Sequence, residues 1–251
     1  METEPPRLRA RAGEAFLARL LALAPDTRER HALVADLVGR PESVLDVGGL
    51  PGRLSEHLPR DVKVVTANVE PPADVLMSGA SLPLDDRSYG VVTSVDVLEH
   101  VPPAERAAFV AELVRVTGGL LVLCCPFGTP EHERSEQELL DWYGSVTGER
   151  HRWLAEHVEN GLPTDAELRN ALSPWVDERS THVDFLYHGD FRSSAAQFKE
   201  LTLAARKGPA AQLAVAWKWL RHRRDLRLSD EPTAWTNRIF VRLERPDSAR
   251  A

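Results

Sequence analysis

Basic charge is in short supply. The 251-residue chain sets 31 Lys and Arg against 38 Asp and Glu, a formal net charge of −7 with histidine neutral. That balance excludes a general nucleic-acid clamp, which needs a basic face to neutralise phosphates. Cysteine is scarcer still. Cys124 and Cys125 are neighbours, and adjacent cysteines neither staple a loop nor complete a four-ligand metal site. The longest apolar stretch, residues 118–127, falls well short of the ~20 residues a membrane span requires. The opening METEPPRLRA has no apolar signal core, so the expected location is cytoplasmic. Repeats and low-complexity linkers are lacking too. What remains, 43% hydrophobic and 27% charged residues, is the composition of a globular chain with a sizeable core.

Short β-branched runs alternate with helix-length segments. Strands are expected at 43–47, 62–69, 74–77, 90–95 and 119–125, and a helix at 104–116 carries Phe109, Val110, Leu113 and Val114 on one face. Residues 8–23 and 31–38 read as two preceding helices, and 53–58 as a helix between the first two strands. Apolar strands separated by helices indicate a doubly wound α/β fold with a mostly parallel sheet. After Pro126 the pattern is helical at 135–143, 151–158 and 165–172. Strand signals return at 181–187 and 237–243, enclosing a helical insertion at 193–230 broken by Gly208-Pro209. The chain reads as one domain: N-terminal helices to 40, a core over 41–126, helices and an edge strand over 127–192, the insertion, then a last strand and tail over 231–251.

Ligands of open parallel sheets bind outside the carboxyl ends of the strands. The first strand ends in Asp46-Val47-Gly48-Gly49-Leu50-Pro51-Gly52, whose glycines let backbone approach a ligand. Such a turn also serves NAD, FAD or tight packing. The second strand delivers Asn68 twenty residues after Gly48, where a polar side chain reaches ribose hydroxyls, with Glu70 two residues on. The third ends at Ser78-Gly79-Ala80 and the fourth at Asp96-Val97-Leu98-Glu99-His100.

VLDVGGLPG, SLPLDDRSYGVVTSVDVLEHVP and ELVRVTGGLLVLCCP, in that order over about residues 44–126, resemble the class I S-adenosylmethionine-dependent methyltransferases. The resemblance implies a seven-stranded sheet with an antiparallel edge and S-adenosyl-L-methionine as cofactor. Asp46 and the Gly48, Gly49 and Gly52 turn would then face the methionine moiety, and Asn68 the ribose. Ser78, Gly79 and Ala80 would lie beside adenine, with Asp96 and Val97 lining the methionine end. The sequence departs from the family pattern at three positions. Leu50 stands where a third glycine is common, Asn68 where an acid is usual, and Ser78 where an aspartate is usual.

If the acceptor is a hydroxyl, a base adds to positioning. His100 and His132 lie just beyond the fourth and fifth strands and are the candidate catalytic residues, each with a capping or packing role as the alternative; His157 comes third. No His-x-x-x-His helix repeat and no compact carboxylate run occurs, so no metal is expected. Residues 131–138 read as a solvated face, and the basic run 218–224 as a helix C-terminus. The segment 151–163 is similar to one in bacterial methyltransferases of surface-glycan pathways, which ranks a sugar or other small polar hydroxyl first among acceptors. Residues 210–220 put Leu213, Trp217 and Leu220 on one face, either as a roof over the acceptor together with Trp153 and His157, or as a homodimer interface or core extension. A methyltransferase-like binding or assembly protein and an NAD or nucleotide-sugar enzyme are the competing readings. The second lacks a Tyr-x-x-x-Lys pair.

Overall fold

The computed structural model describes residues 23–176, 181–222 and 225–245. Seven strands form one sheet: β1 (Ser43–Val47), β2 (Lys63–Asn68), β3 (Val75–Leu76), β4 (Tyr89–Val95), β5 (Thr117–Pro126), β6 (His182–Asp190) and β7 (Thr236–Glu244). Their spatial order is β3-β2-β1-β4-β5-β7-β6. Strands β1 to β5 are mutually parallel, and β7 runs antiparallel to both of its neighbours, β5 and β6. The expected antiparallel edge is present, with the reversed strand one place inside it. The last strand in sequence is thus held on both sides.

Eight-residue or longer helices cover the sheet: α1 (Pro25–Val38), α2 (Pro103–Val116), α3 (Pro130–Thr147), α4 (Arg152–Asn160), α5 (Asp165–Leu172), α6 (Phe191–Lys207) and α7 (Pro209–Leu220). Alternation along β5 shows why both faces need cover. Leu121, Leu123 and Cys125 enter one core with Phe109, Leu113 and Leu168, whereas Leu120, Val122 and Cys124 enter the other with Leu33, Val34 and Phe240. Both cysteines are buried thiols.

Three expectations change. Residues 53–58 form turns rather than a helix, because Pro51-Gly52 and Pro59 leave too short a run to repay helix nucleation. The third helix begins at Pro130, five residues earlier than its apolar spacing suggests, since Thr129 caps it by accepting a hydrogen bond from His132 N. That places residues 131–138 inside a helix. Glu131, Glu133 and Glu138 remain exposed, but His132 is buried and Glu136 faces inward. The expected helix at 8–23 falls almost wholly outside the described residues.

Candidate active site

The glycine turn after β1 is shaped first by its own packing. Gly48 and Gly52 hold φ of +79° and +90°, a left-handed region open mainly to glycine. A Cβ on Gly48 would collide with the Val97 side chain and one on Gly49 with the Asp46 carboxylate, whereas beside Gly52 the space is open. The Asp46 carboxyl lies beneath the turn, 3% exposed, and accepts a hydrogen bond from the Thr93 hydroxyl at 2.9 Å. Burial pushes its pKa up to about 6. Above it, the amides of Gly49, Leu50 and Gly52 donate to no acceptor among the described residues.

The neighbouring strand ends complete a row. Asn68 donates through Nδ2 to the Gly48 carbonyl at 3.3 Å and accepts from Val69 N at 2.8 Å. Glu70 lies beyond the end of β2 and is exposed. Ser78 and Ser81 bridge backbone to backbone around Gly79 and Ala80. Asp96 has a left-handed φ of +54° and belongs to an ion quartet. Arg30 on α1 reaches Asp96 at 2.6 Å and Asp26 at 2.5 Å, and Arg238 on β7 reaches each acid at 3.3 Å. Burial opposes ionisation of Asp26, but Arg238 and Arg30 outweigh it and hold the acid at about 2. The same balance lowers Asp96.

One turn further on, Glu99, His100 and His157 converge, with ligand atoms all within 4.8 Å of one another. Glu99 is 1% exposed and its Oε2 has no hydrogen-bond partner among the described residues. Burial, then the nearby Asp96, raises its pKa to about 7. His100 Nδ1 meets Glu156 at 2.8 Å, and His157 Nδ1 meets Glu136 at 3.0 Å. The rings lie 4.9 Å apart. A clamp brings these distant residues together. Arg106 on α2 donates to the carbonyls of Val101, Asn160 and Gly161, and Asn160 Nδ2 donates to the Glu99 carbonyl. The end of α4 is thus fastened to the turn after β4, and no local sequence spacing announces that juxtaposition.

His132 is placed differently. It is 2% exposed, with Nδ1 2.9 Å from the Phe127 carbonyl, and it stacks on Phe191 at 4.5 Å. Burial lowers its pKa. Those contacts bury it, so of the two histidines expected to act as bases only His100 reaches partly open space. An open depression of about 500 Å³ lined by Asp86, Arg87, Glu112, Arg115, Trp175 and Arg245 lies elsewhere. It adjoins the amino ends of β4 and β5, opposite the loops described above.

Residues 9–162 match the methyltransferase domain family. The chain belongs to that family. The matched span of this methyltransferase domain runs from before α1 to just past α4 and includes the glycine turn, Asp96 and the Glu99, His100 and His157 cluster. A curated relative, an uncharacterized methyltransferase of Mycobacterium sp. (strain JLS), is 39% identical over 137 residues, 44% of this chain and 52% of the relative. The match thus spans about half the relative's length. Among solved structures, a SAM-dependent methyltransferase of Thermotoga maritima is similar at TM-score 0.51 and 14% identity, covering 95% of this chain and 97% of that one. The cyclase SpnF aligns equally well, at TM-score 0.51 and 14% identity over 86% of this chain and 80% of its own. The shared architecture therefore fixes the fold and leaves the reaction to the site.

Proposed function

We propose that the protein transfers the methyl group of S-adenosyl-L-methionine to a hydroxyl of a small polar acceptor, such as a sugar or glycan precursor. The observation that carries this reading is the placement of two unlike surfaces on one short segment. Asp96 and Val97 close the row of loops formed by Asp46, Gly48, Gly49, Gly52, Asn68 and Ser78 to Ala80, and Glu99 and His100 open the polar cluster. The donor set suits the cofactor. Unpaired amides in the glycine turn and the paired charges of Arg30 and Asp96 offer partners for a group bearing both a carboxylate and an ammonium. When bound, the cofactor supplies an electrophilic methyl on a sulfonium. The chain's part is to hold the acceptor oxygen in line and to take its proton, for which His100 is the partly exposed candidate, oriented through Nδ1 by Glu156.

A second reading has its own support. Arg30 and Arg238 already neutralise Asp96, and Asn68 spends its amide on Gly48 and its oxygen on Val69, an arrangement that suits a binding or assembly protein without turnover. Calorimetry with S-adenosylhomocysteine and with NAD, followed by labelled-methyl incorporation from the cofactor into a cell extract, separates the readings. Binding of S-adenosylhomocysteine and a labelled acceptor support methyl transfer. Binding with no labelled acceptor supports the second reading, and absence of S-adenosylhomocysteine binding at millimolar concentration overturns methyl transfer.

A further inference from the structure

We propose that Glu99, His100 and His157 form a binding site for a divalent metal ion of the zinc class. Two imidazoles and one carboxylate are a ligand set that zinc accepts, leaving at least one position open to water or substrate. Each imidazole has Nδ1 on a carboxylate, Glu156 for His100 and Glu136 for His157. That leaves Nε2 as the ligating nitrogen and fixes the ring, the outer arrangement that metal-bound histidines characteristically show. The third ligand is waiting. Glu99 is buried to within 1% of full and its Oε2 finds no partner among the described residues, a state that costs free energy unless a proton or cation relieves it.

Charge and distance agree with a cation. Glu99, Glu136 and Glu156 surround two imidazoles, and the guanidinium nearest in effect, Arg238, is already shared between Asp26 and Asp96. Tetrahedral ligands about 2.1 Å from zinc stand about 3.4 Å from one another. The present spacing within 4.8 Å therefore has to close by about an ångström. Small joint shifts of the His100 and Glu156 side chains, both partly exposed, can supply that without breaking their contact, while Arg106 and Asn160 keep the backbone of α4 in place. The site stands independently of methyl transfer. With a cation bound, His100 Nε2 is a ligand and no longer a base, so an acceptor hydroxyl would be activated by coordination.

The test uses the full chain, free of any affinity tag, stripped with a chelator and dialysed. Titration with Zn²⁺ alone should give one site per chain with Kd of about 1 µM or tighter, and Co²⁺ should develop visible bands of a low-symmetry site. Glu99→Gln and His157→Gln should each weaken binding by about 100-fold or more, and Glu136→Gln by about 10- to 100-fold. His182→Ala, at an exposed histidine beyond the cluster, should leave binding unchanged. Melting curves recorded in chelator check that every variant folds, and Zn²⁺ should raise the Tm of the parent but not of Glu99→Gln. Kd weaker than about 100 µM, or undiminished affinity in folded Glu99→Gln, overturns the site. Zinc binding without methyl transfer overturns only the functional reading, and methyl transfer with no zinc binding overturns only the metal site.

Discussion

Replacing Asp46 with Asn should stabilise the protein at neutral pH, and the gain should disappear in acid. Asp46 is 3% exposed and its one hydrogen bond comes from Thr93. Desolvation lifts its pKa from 3.8 to about 6. The folded state therefore holds more protons than the unfolded one between those values, and stability is lost as pH rises from 3.8 through about 6. Well above both values the ionised carboxylate costs about 3 kcal/mol, since each tenfold loss of acidity on folding is worth about 1.36 kcal/mol. At pH 4 that cost has shrunk to about 0.5 kcal/mol. Asn keeps an oxygen for the Thr93 hydroxyl but adds a buried amide donor, which costs about 1–2 kcal/mol at any pH. The net gain near pH 7.5 is then about 1–2 kcal/mol, or roughly 2–8 °C in Tm for a chain of this size. Urea unfolding of both proteins at pH 4 and pH 7.5 reads the quantity that matters, the change in their difference. A difference independent of pH would refute the argument that Asp46 is a desolvated carboxylate. Under the proposed function the same variant should also bind S-adenosylhomocysteine more weakly, making the carboxylate a functional group held at a cost in stability.

Arg238→Met should destabilise the fold by about 3–5 kcal/mol, because it leaves Asp26 and Asp96 buried with Arg30 as their remaining partner in the quartet; a loss under 1 kcal/mol in chemical denaturation would contradict that. Gly48→Ala should be strongly destabilising, since φ is +79° and the new Cβ meets Val97, and adding Val97→Ala should recover the steric part but not the backbone part. Full additivity of the two substitutions would show that the contact is not what makes glycine necessary. On α7, Trp219→Ala should cost about 3–5 kcal/mol and Trp217→Ser less than about 0.5 kcal/mol, because Trp219 is 2% exposed and donates to Glu200 whereas Trp217 is 64% exposed. Equal effects in thermal melts would overturn that assignment.

Strands were legible wherever burial on both faces wrote itself as an apolar run. Residues 119–125 and 90–95 lie within β5 and β4 as formed, and Gly208-Pro209 marks the break between α6 and α7. The order of loops along the carboxyl edge followed from that sheet. The Arg53 to Leu58 stretch was misread because its length suits a helix while its flanking prolines and glycine do not. His132 stood out as a histidine beyond a strand, yet only packing reveals that Phe191 covers it. Glu99 and His157 lie 58 positions apart, and their meeting depends on Arg106 clamping the end of α4, a contact with no local periodicity to betray it. The insertion divides its contacts. Phe198 on α6 packs on Tyr143 and His151 beside α3 and α4, and Trp219 on α7 packs with Ala24 and Leu201 near α1. Leu213, Trp217 and Leu220 remain exposed among the described residues.

The ion quartet also imposes an order on biosynthesis. Asp26 and Arg30 leave the ribosome before Asp96, but Arg238 follows Asp96 by 142 residues, and it sits on the strand that must slide between β5 and β6. Until then two acids share one guanidinium and β6 has no sheet partner. The nascent chain therefore carries an open sheet edge and an unbalanced charge cluster while the residues between Asp96 and Arg238 are made, and an open strand edge is a template for mispairing. Closure of the last strand settles both defects in one event, so the edge of the site forms only when the whole fold does.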